Sequence, residues 1–156
     1  MKRAVLCLAI VCLLSFITGF TRCENSDDSG NAVTEELMMN LSTRDDEGFK
    51  NMFSNTTINL SDFDEQVNSF WEFFEGNVES YNISLGVGGT KSIRDGRVVS
   101  LNVIPLIKNI ETDSGKTYEL FFQCYIISDN DSIIGINKLV IKDDNDNVYT
   151  IGEYVD

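Results

Sequence analysis

Histidine is absent from this 156-residue chain. Its absence excludes Ser-His-Asp and Cys-His nucleophilic arrangements, and with them every histidine-based zinc site. Cysteine is scarce, at four residues, and two of these, Cys7 and Cys12, lie in the apolar run near the N-terminus. That leaves Cys23 and Cys124, too few for a thiolate zinc site or a disulfide framework, so stability must come from core packing. Basic residues are also few, twelve against twenty-five acidic ones, for a formal net charge of −13. A chain so short of cations lacks the basic footprint that phosphate backbones require, so nucleic acid is not an expected partner. Only one proline, Pro105, is present.

What is there begins with Lys2 and Arg3, followed by an apolar run containing VLCLAIVCLL. A basic start and a short apolar core have the build of a secretory signal peptide. The run falls short of the roughly 20 apolar residues that span a bilayer. Residues 1–22 are therefore expected to be a signal, 23–32 a flexible tether, and 33–156 a single domain. Cutting after Arg22 leaves nine basic and twenty-five acidic residues, a mature net charge of about −16. Cys23 is the candidate for lipid attachment, although Arg22 precedes it where a lipoprotein signal carries a small residue. Lipidated, the protein would sit on the outer face of a bacterial cell membrane, touching it only through that lipid; otherwise it would be secreted.

Val33, Leu37 and Leu41 recur at helical spacing, and Phe49, Met52 and Phe53 do so again after STRDD, which predicts two short helices with Asp45 or Asp46 capping the second. In SDFDEQVNSFWEFFEG, Phe63, Val67, Phe70, Trp71 and Phe74 line one broad helical face. Asp62 is the expected N-cap, Glu65 its capping-box partner, and Gly76 the left-handed closing residue. From Val78 the period changes to that of strands: NVESYNISLGV, VVSLNVIPLIKNI, TYELFFQCYII, IIGINKLVI and VYTIGEY. ETDSGK and KDDNDN supply turns between them. Tyr118, Leu120, Phe122, Cys124 and Ile126 share one face of their strand, with Phe121, Tyr125 and Ile127 on the other, as expected of a central strand covered on both faces. Pro105 requires a bulge or an edge in its own strand. Helices first and antiparallel strands after define an α+β domain.

The succession NMFS, DEQVNSFWEFFEGNVESY, SIRDGRVVS, ETDSGKTYELFF and IGEYV resembles the DUF5104 family of bacterial lipoproteins, whose function is unknown. The resemblance covers Val33 to Val155 and implies an NTF2-like, cystatin-like α+β fold, with N-terminal helices packed on a curved antiparallel sheet that encloses a conical cavity. In such folds the cavity is where ligands or catalysis are found. The candidates to line it are Trp71, Tyr81, Tyr118 and Tyr125, apolar in body and polar at one end. Arg94, beside Asp95-Gly96-Arg97, is the candidate for gripping an anion.

Two apparent motifs fail. LGVGGTKS lacks a lysine directly after its last glycine and reads as a flexible connection between strands. A calcium loop starting at Asp143 has Val148 where glycine is required and Tyr154 where a glutamate belongs, leaving a hairpin turn. Five Asn-x-Ser/Thr matches, at Asn40, Asn55, Asn59, Asn82 and Asn130, reflect an asparagine-rich chain. No catalytic residue, cofactor or metal site is assigned. The leading expectation is a noncatalytic cell-envelope module binding a small molecule or an envelope protein. One alternative is a small enzyme using a cavity carboxylate such as Glu72 or Glu119 as general base. The other is a structural or homodimerising domain that uses the outer face of its sheet.

Overall fold

The computed structural model describes residues 26–155, with side-chain surroundings given for residues 29–84 and 88–155. The expected signal, its cut and Cys23 lie outside the described residues. Among the described residues four helices come first: α1 (Ser26–Thr43), α2 (Asp46–Asn51), α3 (Asn55–Ile58) and α4 (Phe63–Phe73). Five strands follow: β1 (Val78–Arg94), β2 (Arg97–Thr112), β3 (Thr117–Ile127), β4 (Gly135–Asp143) and β5 (Val148–Gly152). A 3-10 turn, Asp131–Ile133, leads into β4. The strands pair in chain order as an antiparallel meander, so the molecule is α+β with its helices packed on an antiparallel sheet. The sheet is open rather than curled onto itself: β1 and β5 are its two edges.

The helix ends show which capping signals operate. Asp45 caps α2, its carboxylate accepting from Gly48 N at 2.9 Å, and Ser54 caps α3 through Thr57 N. Asp62 precedes α4 but makes no side-chain cap bond, so the expected capping box is not formed. At the other end of α4, Gly76 has the positive φ of +84° that glycine tolerates. There the closing work is shared with side chains from elsewhere. Tyr118 Oη donates to Phe73 O at 3.1 Å and accepts from Glu75 N at 2.9 Å, and Arg44 donates to Phe74 O.

In the sheet, LGVGGTKS lies inside β1 rather than forming a connection. The reversal comes at Asp95-Gly96, both with positive φ, as a type I′ hairpin turn requires. Pro105 sits in an interior strand, between Ile104, which pairs with Gly88, and Leu106, which pairs with Ser84. Four steps along β1 thus oppose two along β2, and this bulge stands where the proline offers no N–H.

The core lies between the helices and one face of the sheet. Leu37 and Leu41 of α1, Phe49 of α2, and Val67 and Phe70 of α4 meet Ile107, Leu120, Phe122, Leu139 and Ile141 from the strands. Phe49 stacks on Phe70 with ring centroids 4.9 Å apart, and Phe74 lies 4.9 Å from Tyr118. Buried polar groups at the α3–β4 contact satisfy each other: Ser54 donates to Asn137 Oδ1 at 2.7 Å, Thr57 donates to Asn137 O, and Asn137 Nδ2 donates to Ile133 O. A buried amide with its partners in place costs little, whereas one left unpaired would cost about 1–3 kcal/mol.

Candidate functional site

Among the described residues, the space between α4 and the sheet, where the resemblance implies a conical cavity, is occupied by packed aromatic rings, Phe70 stacking on Phe74 at 5.9 Å and Phe74 lying 4.9 Å from Tyr118. Phe70, Phe74 and Phe122 are completely buried and Tyr118 is 2% exposed, all within one cluster. Side chains of this size exclude a ligand from that layer, because interiors pack as densely as organic crystals.

The five residues singled out from sequence do not converge there. Trp71 is half-buried at the rim of the cluster, 5.1 Å from the Phe49 ring, with Nε1 donating to Asp46 Oδ1 at 2.8 Å and the Arg44 guanidinium 5.4 Å over its ring. Tyr118 spends its hydroxyl on the end of α4, and burial pushes its pKa up. Tyr81 is exposed on the edge strand β1. Arg94 and Tyr125 both line an open cleft of about 320 Å³ at the far end of the sheet.

That cleft is built by three pieces of chain. The end of the β1–β2 hairpin brings Ser92, Arg94, Val99 and Ser100; β3 and the loop after it bring Tyr125, Ser128, Asp129 and Asn130; the 3-10 turn brings Ile133. The hairpin is exposed over every residue from Gly88 to Arg97. Arg94 Nη1 and Asp129 Oδ2 are 3.6 Å apart with side chains 72% and 68% exposed, a loose pair of small energetic weight. Ser128 Oγ accepts from Asn130 N at 3.0 Å, which orders the loop and leaves the hydroxyl proton free to donate.

Tyr125 also borders a second cleft of about 280 Å³, with Val33, Met52, Cys124, Ile126 and Ile134. Burial raises the Cys124 thiol to about 12, so it is a protonated, unreactive hydrophobe. Sequence reasoning missed what holds Tyr125. The segment after β5 lies against β3, where Gln123 clamps Val155 from both sides: Nε2 donates to Val155 O at 2.9 Å and Oε1 accepts from Val155 N at 3.0 Å. Tyr125 Oη donates to the same carbonyl at 3.3 Å. Gly152 lets the chain leave β5 toward that clamp. Its φ is +71°, and a Cβ there would come within 2.1 Å of Asn137 O. The glutamine and glycine were visible in the sequence, but nothing local links positions so far apart.

The remaining polar constellations are structural. Asp143 accepts from Asn145 N, Asn147 N and Asn147 Nδ2, the bonds from Asn147 holding its carboxyl below the usual range. A third recess, of about 170 Å³, lies beside this turn between Tyr118, Glu119 and Lys142. Neither Glu72 nor Glu119 is buried, and Glu119 faces Lys142 at 3.9 Å. Among the described residues no group of three or more Cys, Asp or Glu side chains is placed to hold a metal ion.

An α+β domain with a closed aromatic core and its polar clefts on the surface is the class of protein these features define, and the arrangement is consistent with the NTF2-like superfamily. Residues 36–148 match the model of the family described as Domain of unknown function (DUF5104), and the chain belongs to that family. No curated protein matches the chain.

Proposed function

We propose that this chain is an exported, noncatalytic module of the bacterial cell envelope that binds a small molecule in the cleft between Arg94 and Tyr125. The observation that carries the reading is the contrast between a filled interior and this cleft, where a cation, three serine hydroxyls and an aromatic ring converge. Its volume lies at the lower end of the range for small-molecule sites, about 300–1,000 Å³. The chain has no histidine, and among the described residues every carboxylate stays near solvent, so neither type of group supplies a general base in a dry setting. Titrating the isotope-labelled domain with a small-molecule extract of its host, followed by amide NMR, tests the reading. Shifts are expected at Ser92, Arg94, Ser100, Ser128 and Asn130 and to vanish in Arg94→Met. Saturable shifts confined to other regions overturn it.

A second reading is homodimerisation through the outer face of the sheet. Leu106 pairs with Phe121, and Phe121 with Val140, so three strands place apolar side chains together on the face opposite Leu120 and Phe122. Sedimentation equilibrium separates the readings, because Phe121→Lys abolishes a dimer formed this way and leaves cleft binding intact. Attachment through a lipid on Cys23 belongs to the proposal as well, and mass spectrometry of the protein from host membranes checks it.

A further inference from the structure

We infer that the ligand of the Arg94–Tyr125 cleft is a free α-amino acid, held as its neutral zwitterion; the inference rests on the cleft being the binding site. Arg94 and Asp129 present opposite charges side by side on the rim, 3.6 Å apart. Each is more than two-thirds exposed, so each keeps most of its donors or acceptors for a ligand. An α-amino acid carries a carboxylate and an ammonium group on one carbon, at a separation that matches such a rim. Its carboxylate meets the Arg94 guanidinium in charge-assisted bonds while its ammonium meets the Asp129 carboxylate.

The rest of the cleft suits the rest of the molecule. Ser92, Ser100 and the free proton of Ser128 surround the charged head with hydroxyl donors. Val99, Ile133 and the Tyr125 ring give an apolar wall for a side chain. A volume of about 320 Å³ is enough to seat one amino acid.

The long-range field selects the same class. With a formal net charge of −13, the chain repels anions on approach, which penalises a simple carboxylate ligand. A simple cation is drawn in, but then finds the Arg94 charge beside its seat. A neutral zwitterion crosses the field without cost, and its internal dipole aligns with the Arg94–Asp129 pair.

The test is amide NMR on the full domain with three probes of one skeleton: leucine, N-acetylleucine, which keeps only the carboxylate charge, and leucinamide, which keeps only the ammonium. Leucine is expected to shift Ser92, Ser100, Ser128 and Asn130, with the other two about two- to fivefold weaker, as loss of one solvent-exposed charge contact implies. Asp129→Asn should bring leucine and N-acetylleucine to similar affinity, and Arg94→Met should do so for leucine and leucinamide. Both side chains are exposed, so the unchanged remainder of the spectrum verifies folding. Equal binding of N-acetylleucine to the unaltered protein overturns the zwitterion and leaves the cleft standing. No shift with any of the three overturns the inference too, and the host-extract titration then decides the cleft by itself.

Discussion

Strand β3 carries a tyrosine near each end, and the two have opposite fates. Tyr118 lies under α4, 2% exposed, its hydroxyl both donating and accepting to close that helix. Tyr125 is nearly as buried, but its ring borders two open clefts and its hydroxyl makes one long bond to Val155. The difference lies in the face each ring occupies and in what covers it: Tyr118 shares the helix-covered face with Leu120 and Phe122, and Tyr125 shares the opposite face with Gln123, both bonding the Val155 carbonyl. Near Tyr118 the aromatic face of α4 supplies Phe70 and Phe74, and near Tyr125 the covering is one clamped segment and a hairpin that projects into solvent. The helix-covered face of the strand is a finished core, and the opposite face at its far end is where a surface remains to be used.

The largest expected effect tests whether the closed end is as well packed as it looks. Phe122→Ala or Phe70→Ala should cost about 3–5 kcal/mol in urea unfolding, the loss typical of deleting a fully buried aromatic ring. A cost near 1 kcal/mol would mean that the layer is loose and that a cavity opens there in solution.

Alkaline pH gives the next effect, from the middle of the strand. Burial lifts the Cys124 thiol from 9.0 to about 12, so the unfolded chain ionises first as pH rises. Between those values the unfolded state binds fewer protons than the folded one, and stability must fall with rising pH. The stabilisation is fully present below pH 9 and fades toward pH 12, with a total of a few kcal/mol. The Tyr118 pKa, also raised by burial, adds to the decline above pH 10. Denaturant midpoints from pH 8 to 11 should show the slope, and Cys124→Ala should flatten it. Below pH 9, the native thiol should react with a disulfide reagent only as fast as the protein opens.

The closed end was largely legible in the sequence, and the open end was not. Five large apolar residues at helical spacing in FDEQVNSFWEFF demanded a sheet to cover, and the alternation in TYELFFQCYII supplied its central strand. Both signals are periodic and local, which is why they survive folding. The length of β1 was missed because LGVGGTKS contains the glycines of a loop, yet β2 runs alongside it and fixes its conformation. The Asp62 cap failed for the converse reason: a local signal was present, but the carboxylate makes no bond to the helix it precedes. Of the site, Arg94 stood out because cations are rare in this chain, and Tyr125 because it is amphipathic. Their place on one cleft, the Ser128–Asn130 loop between them and the Gln123–Val155 clamp depend on contacts between distant positions, which no spacing encodes.

The comparison is sharpest in the two conservative variants that remove one oxygen each. Tyr118→Phe leaves Glu75 N and Phe73 O without their partner at a partly buried helix end, a loss of about 1–3 kcal/mol. Gln123→Leu removes both bonds to Val155, but the freed backbone gains access to water, so the cost should be about 1 kcal/mol. Its clearer mark should be faster hydrogen exchange of the Val155 amide than of the β3 amides. Tyr125→Phe gives up a single 3.3 Å bond whose acceptor, Val155 O, keeps Gln123 as its other donor, so stability should change by less than about 0.5 kcal/mol. If Tyr125→Phe instead costs as much as Tyr118→Phe, the far end of β3 is as firmly closed as the near one, and the cleft beside it loses its claim to be the working surface.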